Sequence, residues 1–152
     1  MGVLIIMLFL IVIVPVSNAL HEAGHMAAAA AVHSDRFNMI IGSGRPLWQL
    51  DFGRLTITVH RMFFIGASAE QTRESPFTPL EKTWISLCGP LLNVFASLIG
   101  LMALNWISLP LIEWFILYNM WLGIMNLIPL KIKQRQSDGY IIAANLFKKQ
   151  FQ

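Results

Sequence analysis

A chain of 152 residues with 56% hydrophobic and 12% charged residues, against roughly 25% charged in an average soluble domain, has a membrane protein's composition and room for one domain. Its net charge of +3 does not point to nucleic acid, because the basic residues fall between and after long apolar runs and no recognition motif accompanies them. The single cysteine, Cys88, excludes an intrachain disulfide framework and a cysteine-built zinc site.

From Met1 to Leu20 no residue is charged, and the apolar run continues to Val32 with Glu22 as its only formal charge, long enough to span a bilayer. Ser17-Asn18-Ala19 resembles a signal-peptide cleavage site, yet the basic leading segment is missing and Ala27 to Ala31 carry on the helical composition. A retained span over about residues 2–33 is therefore expected. Pro15 removes a backbone hydrogen bond and predicts a kink one to two turns before His21.

Leu47 to Phe52 and the alternating Arg54 to Arg61, joined through Gly53, read as a β-hairpin within about residues 37–65. Gly66 to Pro79, with its Ser, Thr and Pro residues, reads as an irregular loop. Apolar runs over about residues 84–107 and 109–130, separated by a link with Asn105, Ser108 and Pro110, read as two antiparallel spans ahead of a polar tail, 131–152. The expected fold is thus an all-α membrane protein: three transmembrane helices with a small cytoplasmic β-hairpin between the first and second, forming a single core over the whole chain. All eleven Lys and Arg residues lie between the first two runs or after the third. By the positive-inside rule those segments are cytoplasmic and the N-terminus is outside.

His21-Glu22-Ala23-Gly24-His25 fits H-E-x-x-H. Histidines at i and i+4 share a helical face and can hold one zinc ion, while the intervening glutamate can reach the metal's water and take its proton. Ionisable residues inside a membrane are expensive; solvation at the interface would explain polarity here, but not this spacing. A hydrolytic zinc site needs a third protein ligand. His33 lies eight residues past His25, about 12 Å along a continuous helix and too far. His60 falls on the polar side of the predicted strand and reads as a surface residue, and Glu113 sits at the outer end of the third run. Asp138 follows the third run on the side where the first ends, so its topology fits, although Asp138-Gly139 is also a common turn pair and a helix N-cap is its other reading. Asn93, eleven residues after Lys82, comes to the depth of His25, eleven before Arg36, about 16 Å from the basic boundary; interhelical hydrogen bonding is the competing role. Asn119 and Asn126 raise the same question, with Asn126 expected to face the site and bind substrate.

Three elements in this order resemble the site-2 protease family of intramembrane zinc metalloproteases: His21-Glu22-Ala23-Gly24-His25, then Gly89-Pro90-Leu91-Leu92-Asn93, then Asn126-Leu127-Ile128-Pro129 followed by Ser137-Asp138-Gly139. The resemblance implies Zn2+ as cofactor, His21, His25 and Asp138 as its ligands, Glu22 as catalytic base, and Asn93 as a group that binds or polarises the substrate carbonyl. It implies membrane proteins with a transmembrane segment as substrates, in the lipid bilayer, with a bacterial cell membrane as the expected location. Lys131 to Gln136 separates Pro129 from Asp138 by more than the family's compact form. The alternative from another class is a non-catalytic membrane protein that keeps the fold and binds a partner helix, against which the intact Glu22 argues.

Overall fold

The computed structural model describes residues 2–107 and 109–147; Ser108 of the expected link, and Lys148 and Lys149 of the tail, lie outside the described residues. The first apolar run forms helix α1 (Gly2–Leu8), a π-helical turn (Phe9–Ile13) and helix α2 (Val14–Ala31). Pro15 has no N–H to return to the preceding turn, and the chain widens there, with the Val14 N–H reaching back to the Phe9 carbonyl. A π-turn thus directly precedes Pro15, the residue at which the sequence predicts a kink. The most apolar 18-residue window of Gly2–Ala31 has a mean hydropathy of 2.8, and at about 1.5 Å per residue the segment is about 45 Å long, enough to cross a hydrocarbon core of about 30 Å.

Helix α2 ends where His33 takes a left-handed conformation, φ 63°. Two arginines from downstream hold the carbonyls at and just past its end: Arg73 donates to Val32 O at 2.7 Å, and Arg54 donates to Ser34 O and, at 2.9 Å, to Asp35 O. Strands β1 (Arg36–Asp51) and β2 (Leu55–Thr72) follow. Phe37–Ile41 is flanked on both sides by β2. Ala67–Gln71 runs antiparallel to it, with Phe37 opposite Gln71 and Ile41 opposite Ala67, and Leu55–Val59 lies on its other side, with Phe37 opposite Leu55 and Ile41 opposite Val59. The far end of β1 turns back through Gly53 to pair Trp48 with Val59 and Asp51 with Thr56, the hairpin expected there. Gly42, at φ 87°, makes the bend possible, since a Cβ there would meet the Met62 carbonyl at 2.5 Å.

Helix α3 (Pro79–Ala103) starts at a capping box in which the Thr78 hydroxyl and the Glu81 carboxylate satisfy each other's backbone N–H groups. Glu81 also takes a two-pronged ion pair from Arg73, at 2.9 and 3.0 Å. One arginine therefore ties together the end of α2, the end of β2 and the start of α3. Helix α4 (Pro110–Leu127) returns antiparallel along α3, with Ser97 Oγ donating to Ile116 O at 3.0 Å and Gly123 lying against Pro90 and Val94. A short hairpin of β3 (Lys131–Ile132) and β4 (Arg135–Gln136) leads to helix α5 (Asp138–Phe147).

Two findings correct the all-α, three-span expectation. Strands of 16 and 18 residues make the sheet a substantial layer, so the fold mixes α and β. The stretch expected to be a loop from Gly66 is strand as far as Thr72, because Gly66 turns at φ 69° and the following residues find backbone partners in Arg36–Ile41. Two helices, Gly2–Ala31 and Pro79–Ala103, are long and apolar enough to cross a membrane among the described residues, not three. Helix α4 has 18 residues and carries Glu113, Asn119 and Asn126, and the chain leaves the helix at Ile128, ahead of Pro129. Polar side chains are buried between the helices while large apolar ones face outward: Ser17, His21, Asn93, Ser97 and Asn119 are buried, and Phe95, Leu98, Ile99 and Leu101 are exposed. Lipid as solvent explains that inversion, since small and polar residues then join helices and apolar side chains face outward.

Candidate metal centre

The buried stripe of α2 runs Ser17, His21, Gly24, His25, Ala28, the three- and four-residue spacing of one helical face. It packs on Ile85, Gly89 and Asn93 of α3. Contact is close because glycines meet: a Cβ on Gly24 would stand 2.5 Å from the Cys88 carbonyl oxygen, and the His25 ring occupies the place a Cβ on Gly89 would take. Asp138 arrives from the other end of the chain. The long connection from Pro129 is absorbed by the β3–β4 hairpin, with Ser137 N–H donating to Leu130 O at 2.9 Å to close it. Ser137 is also the cap of α5, its hydroxyl accepting from Tyr140 N–H at 3.2 Å. Asp138 is thereby released from the capping role and turns to the histidines.

His21 Nε2 lies 3.1 Å from Asp138 Oδ2 and 3.1 Å from His25 Nε2, and His25 Nε2 lies 3.4 Å from Asp138 Oδ1. Ligand atoms of the three residues all fall within 4.8 Å of one another. The outer ring nitrogens fix the tautomers. His25 Nδ1 faces the Ile85 carbonyl at 2.8 Å, which can only accept, and His21 Nδ1 faces Asn93 Oδ1 at 2.6 Å. As neutral imidazoles, both histidines therefore carry their proton on Nδ1 and present the Nε2 lone pair inward. In that neutral form two lone pairs and a carboxylate converge, an arrangement that a bound cation would stabilise. Imidazoles whose second nitrogen donates to a carbonyl are the usual support of a metal site. The donor set fits a divalent metal with a nitrogen preference.

These residues line a cavity of 280 Å³ together with Glu22, Asn126, Gln136 and the Ser68, Ala69 and Gln71 stretch of β2. Of the residues singled out from the sequence, His21, Glu22, His25, Asn126 and Asp138 come together there; His33, His60 and Glu113 are not part of the cluster. Asn93 is a correction. It lies level with His21, not His25, because the helices extend to Ala31 and from Pro79 and are not bounded by the charged residues. It is fully buried, and its two amide hydrogens are spent on Ser17 O at 3.0 Å and Asn119 Oδ1 at 2.7 Å. In this arrangement both amide hydrogens are engaged, and Asn93 meets His21 from behind through its Oδ1. Sequence reasoning missed Ser17, whose signal was its place four residues before His21, and the β2 edge, which had read as loop.

Residues 5–109 match the model of peptidase family M50, a stretch that includes His21, Glu22, His25 and Asn93, while Asp138 lies beyond it. No curated protein matches the chain. A match over more than half of the chain, with the motif histidines seated in a metal-ready cluster, places the protein: it belongs to peptidase family M50, the site-2 protease family of membrane-embedded metallopeptidases.

Proposed function

We propose that the chain is an intramembrane zinc endopeptidase that hydrolyses peptide bonds in or next to transmembrane segments of other membrane proteins. The observation that carries this reading is the shared cavity: three converging ligand atoms, the Glu22 carboxylate and a strand edge. His21, His25 and Asp138 would hold the zinc, which would supply Lewis acidity and lower the pKa of a water towards about 7. Glu22 is the general base, one residue along α2 from His21 and open to the cavity; it takes a proton from the attacking water and returns one to the leaving amine. Asn126 faces the same cavity, while its Nδ2 is held by Leu122 O at 2.9 Å, leaving its oxygen side for substrate.

A helical substrate hides its carbonyls and must unwind before it can be cut. The Ala67–Gln71 stretch of β2 pairs with β1 along one edge among the described residues, and its other edge borders the cavity, where an extended substrate can add as a strand. The arginines of the sheet, with Lys131, Lys133 and Arg135, favour a cytoplasmic position for that side, with the N-terminus outside. Single-span precursors and membrane-held regulators are the substrate class. Detergent-purified chain should cut single-span membrane proteins within or beside the span, lose that activity to a chelator and regain it with zinc; cleavage that survives removal of the metal would overturn the reading.

A further inference from the structure

Behind the metal ligands lies a buried polar chain in which both amide orientations can be assigned. Ser17, Asn93 and Asn119 come from three different helices and are all fully buried. Asn93 Nδ2 donates to Ser17 O at 3.0 Å and to Asn119 Oδ1 at 2.7 Å; Asn119 Nδ2 donates to Phe115 O at 2.8 Å and to Ser17 Oγ at 2.8 Å. Backbone carbonyls only accept, so Phe115 O fixes which way the Asn119 amide points. Asn119 Oδ1 and Ser17 O then fix the Asn93 amide, and its Oδ1 is left facing His21 Nδ1 at 2.6 Å.

An Asn93 amide turned the other way would present N–H to His21 Nδ1 and drive the imidazole proton to Nε2, where it blocks the lone pair facing Asp138 and His25. The amide's orientation therefore decides whether His21 can be a ligand. We propose that Asn119 and Ser17 are positioning residues, locking the Asn93 amide so that His21 presents Nε2 to the metal. Resting on the zinc site proposed above, this assigns a role to two residues that touch neither metal nor cavity. Ser97 supplies the contrast: one turn along α3 from Asn93 and also fully buried, it joins the same two helices through Ile116 O at 3.0 Å but has no connection to His21.

Zinc affinity of the detergent-purified full chain, measured by competition with a chromophoric chelator, tests the assignment. Asn119→Ala should weaken zinc binding about 10- to 100-fold, the usual cost of losing an outer support of a ligand, and Ser17→Ala, a smaller change that keeps the fold, should weaken it in the same direction. Ser97→Ala should lower thermal stability and leave zinc affinity within about twofold, as expected for a site not coupled to the ligand. In a chain that also carries Asn93→Ala, Asn119→Ala should cost little more, because its route to His21 is already cut. Wild-type zinc affinity in both Asn119→Ala and Ser17→Ala, or an equal loss in Ser97→Ala, overturns the inference while leaving the metal site standing. A wild-type chain that binds no zinc removes the site and the inference with it.

Discussion

Gly24→Ala should weaken the metal site, although alanine is the better helix former by about 1 kcal/mol. Gly24 lies between His21 and His25 on the buried face of α2, and an added Cβ would stand 2.5 Å from Cys88 O and 2.9 Å from both Cys88 C and Gly89 Cα, inside the 3.0 Å that Cβ contacts respect. All three atoms are backbone and cannot rotate aside, so α2 and α3 must separate by at least about 0.5 Å. That gap falls between the histidines and their supports, His25 Nδ1 to Ile85 O at 2.8 Å and His21 Nδ1 to Asn93 Oδ1 at 2.6 Å. A shift of about 0.5 Å is the limit that a working constellation tolerates, and metal distances allow about 0.2 Å. Zinc affinity should fall about 10- to 100-fold, read by chelator competition beside a thermal melt. Gly100→Ala is the matched comparison, because its Cβ would meet Ile116 Cγ1 at 2.6 Å, a side chain that can rearrange, two turns of α3 beyond Asn93. It should leave zinc binding within about twofold. Wild-type zinc affinity in Gly24→Ala would refute the argument that close α2–α3 contact holds the ligands.

Elemental analysis should find one zinc per chain, and none in a His21→Ala, His25→Ala double variant; full retention there would place the metal elsewhere. A reporter fused after Arg73 should report the cytoplasm, the side the positive-inside rule assigns to that basic segment; a signal from the opposite side would reverse the direction of water entry to the cavity.

The metal motif was legible in the sequence because its geometry is local: a four-residue spacing on a helix fixes which face two histidines share, whatever packs against it. Asp138 depended on a contact across 117 positions with His21, and the residues that obscured it, Lys131 to Gln136, form a hairpin that adds length without adding distance. The strand from Arg54 to Arg61 announced itself by alternation. Gly66 to Thr72 did not, since small and polar residues there become strand through pairing with Arg36–Ile41, a tertiary fact. The third apolar run was read by overall hydrophobicity, whereas the helix it forms is shortened by Pro110 and Pro129 and burdened by Asn119, whose amide belongs to the interior. Asn93 was found for its depth and given the wrong neighbour, because charged residues are a poor ruler for where a helix ends.

The most direct measurement compares cells carrying the wild-type chain with cells carrying Glu22→Gln, by mapping the fragments of their membrane proteins. The amide keeps the size of the side chain and cannot accept a proton. Single-span proteins cut in the wild-type cells should accumulate uncut with Glu22→Gln, while the purified variant stays inserted and zinc-loaded. Identical fragments from both, with the variant stably inserted and metal-loaded, would contradict the assignment of this chain as a protease.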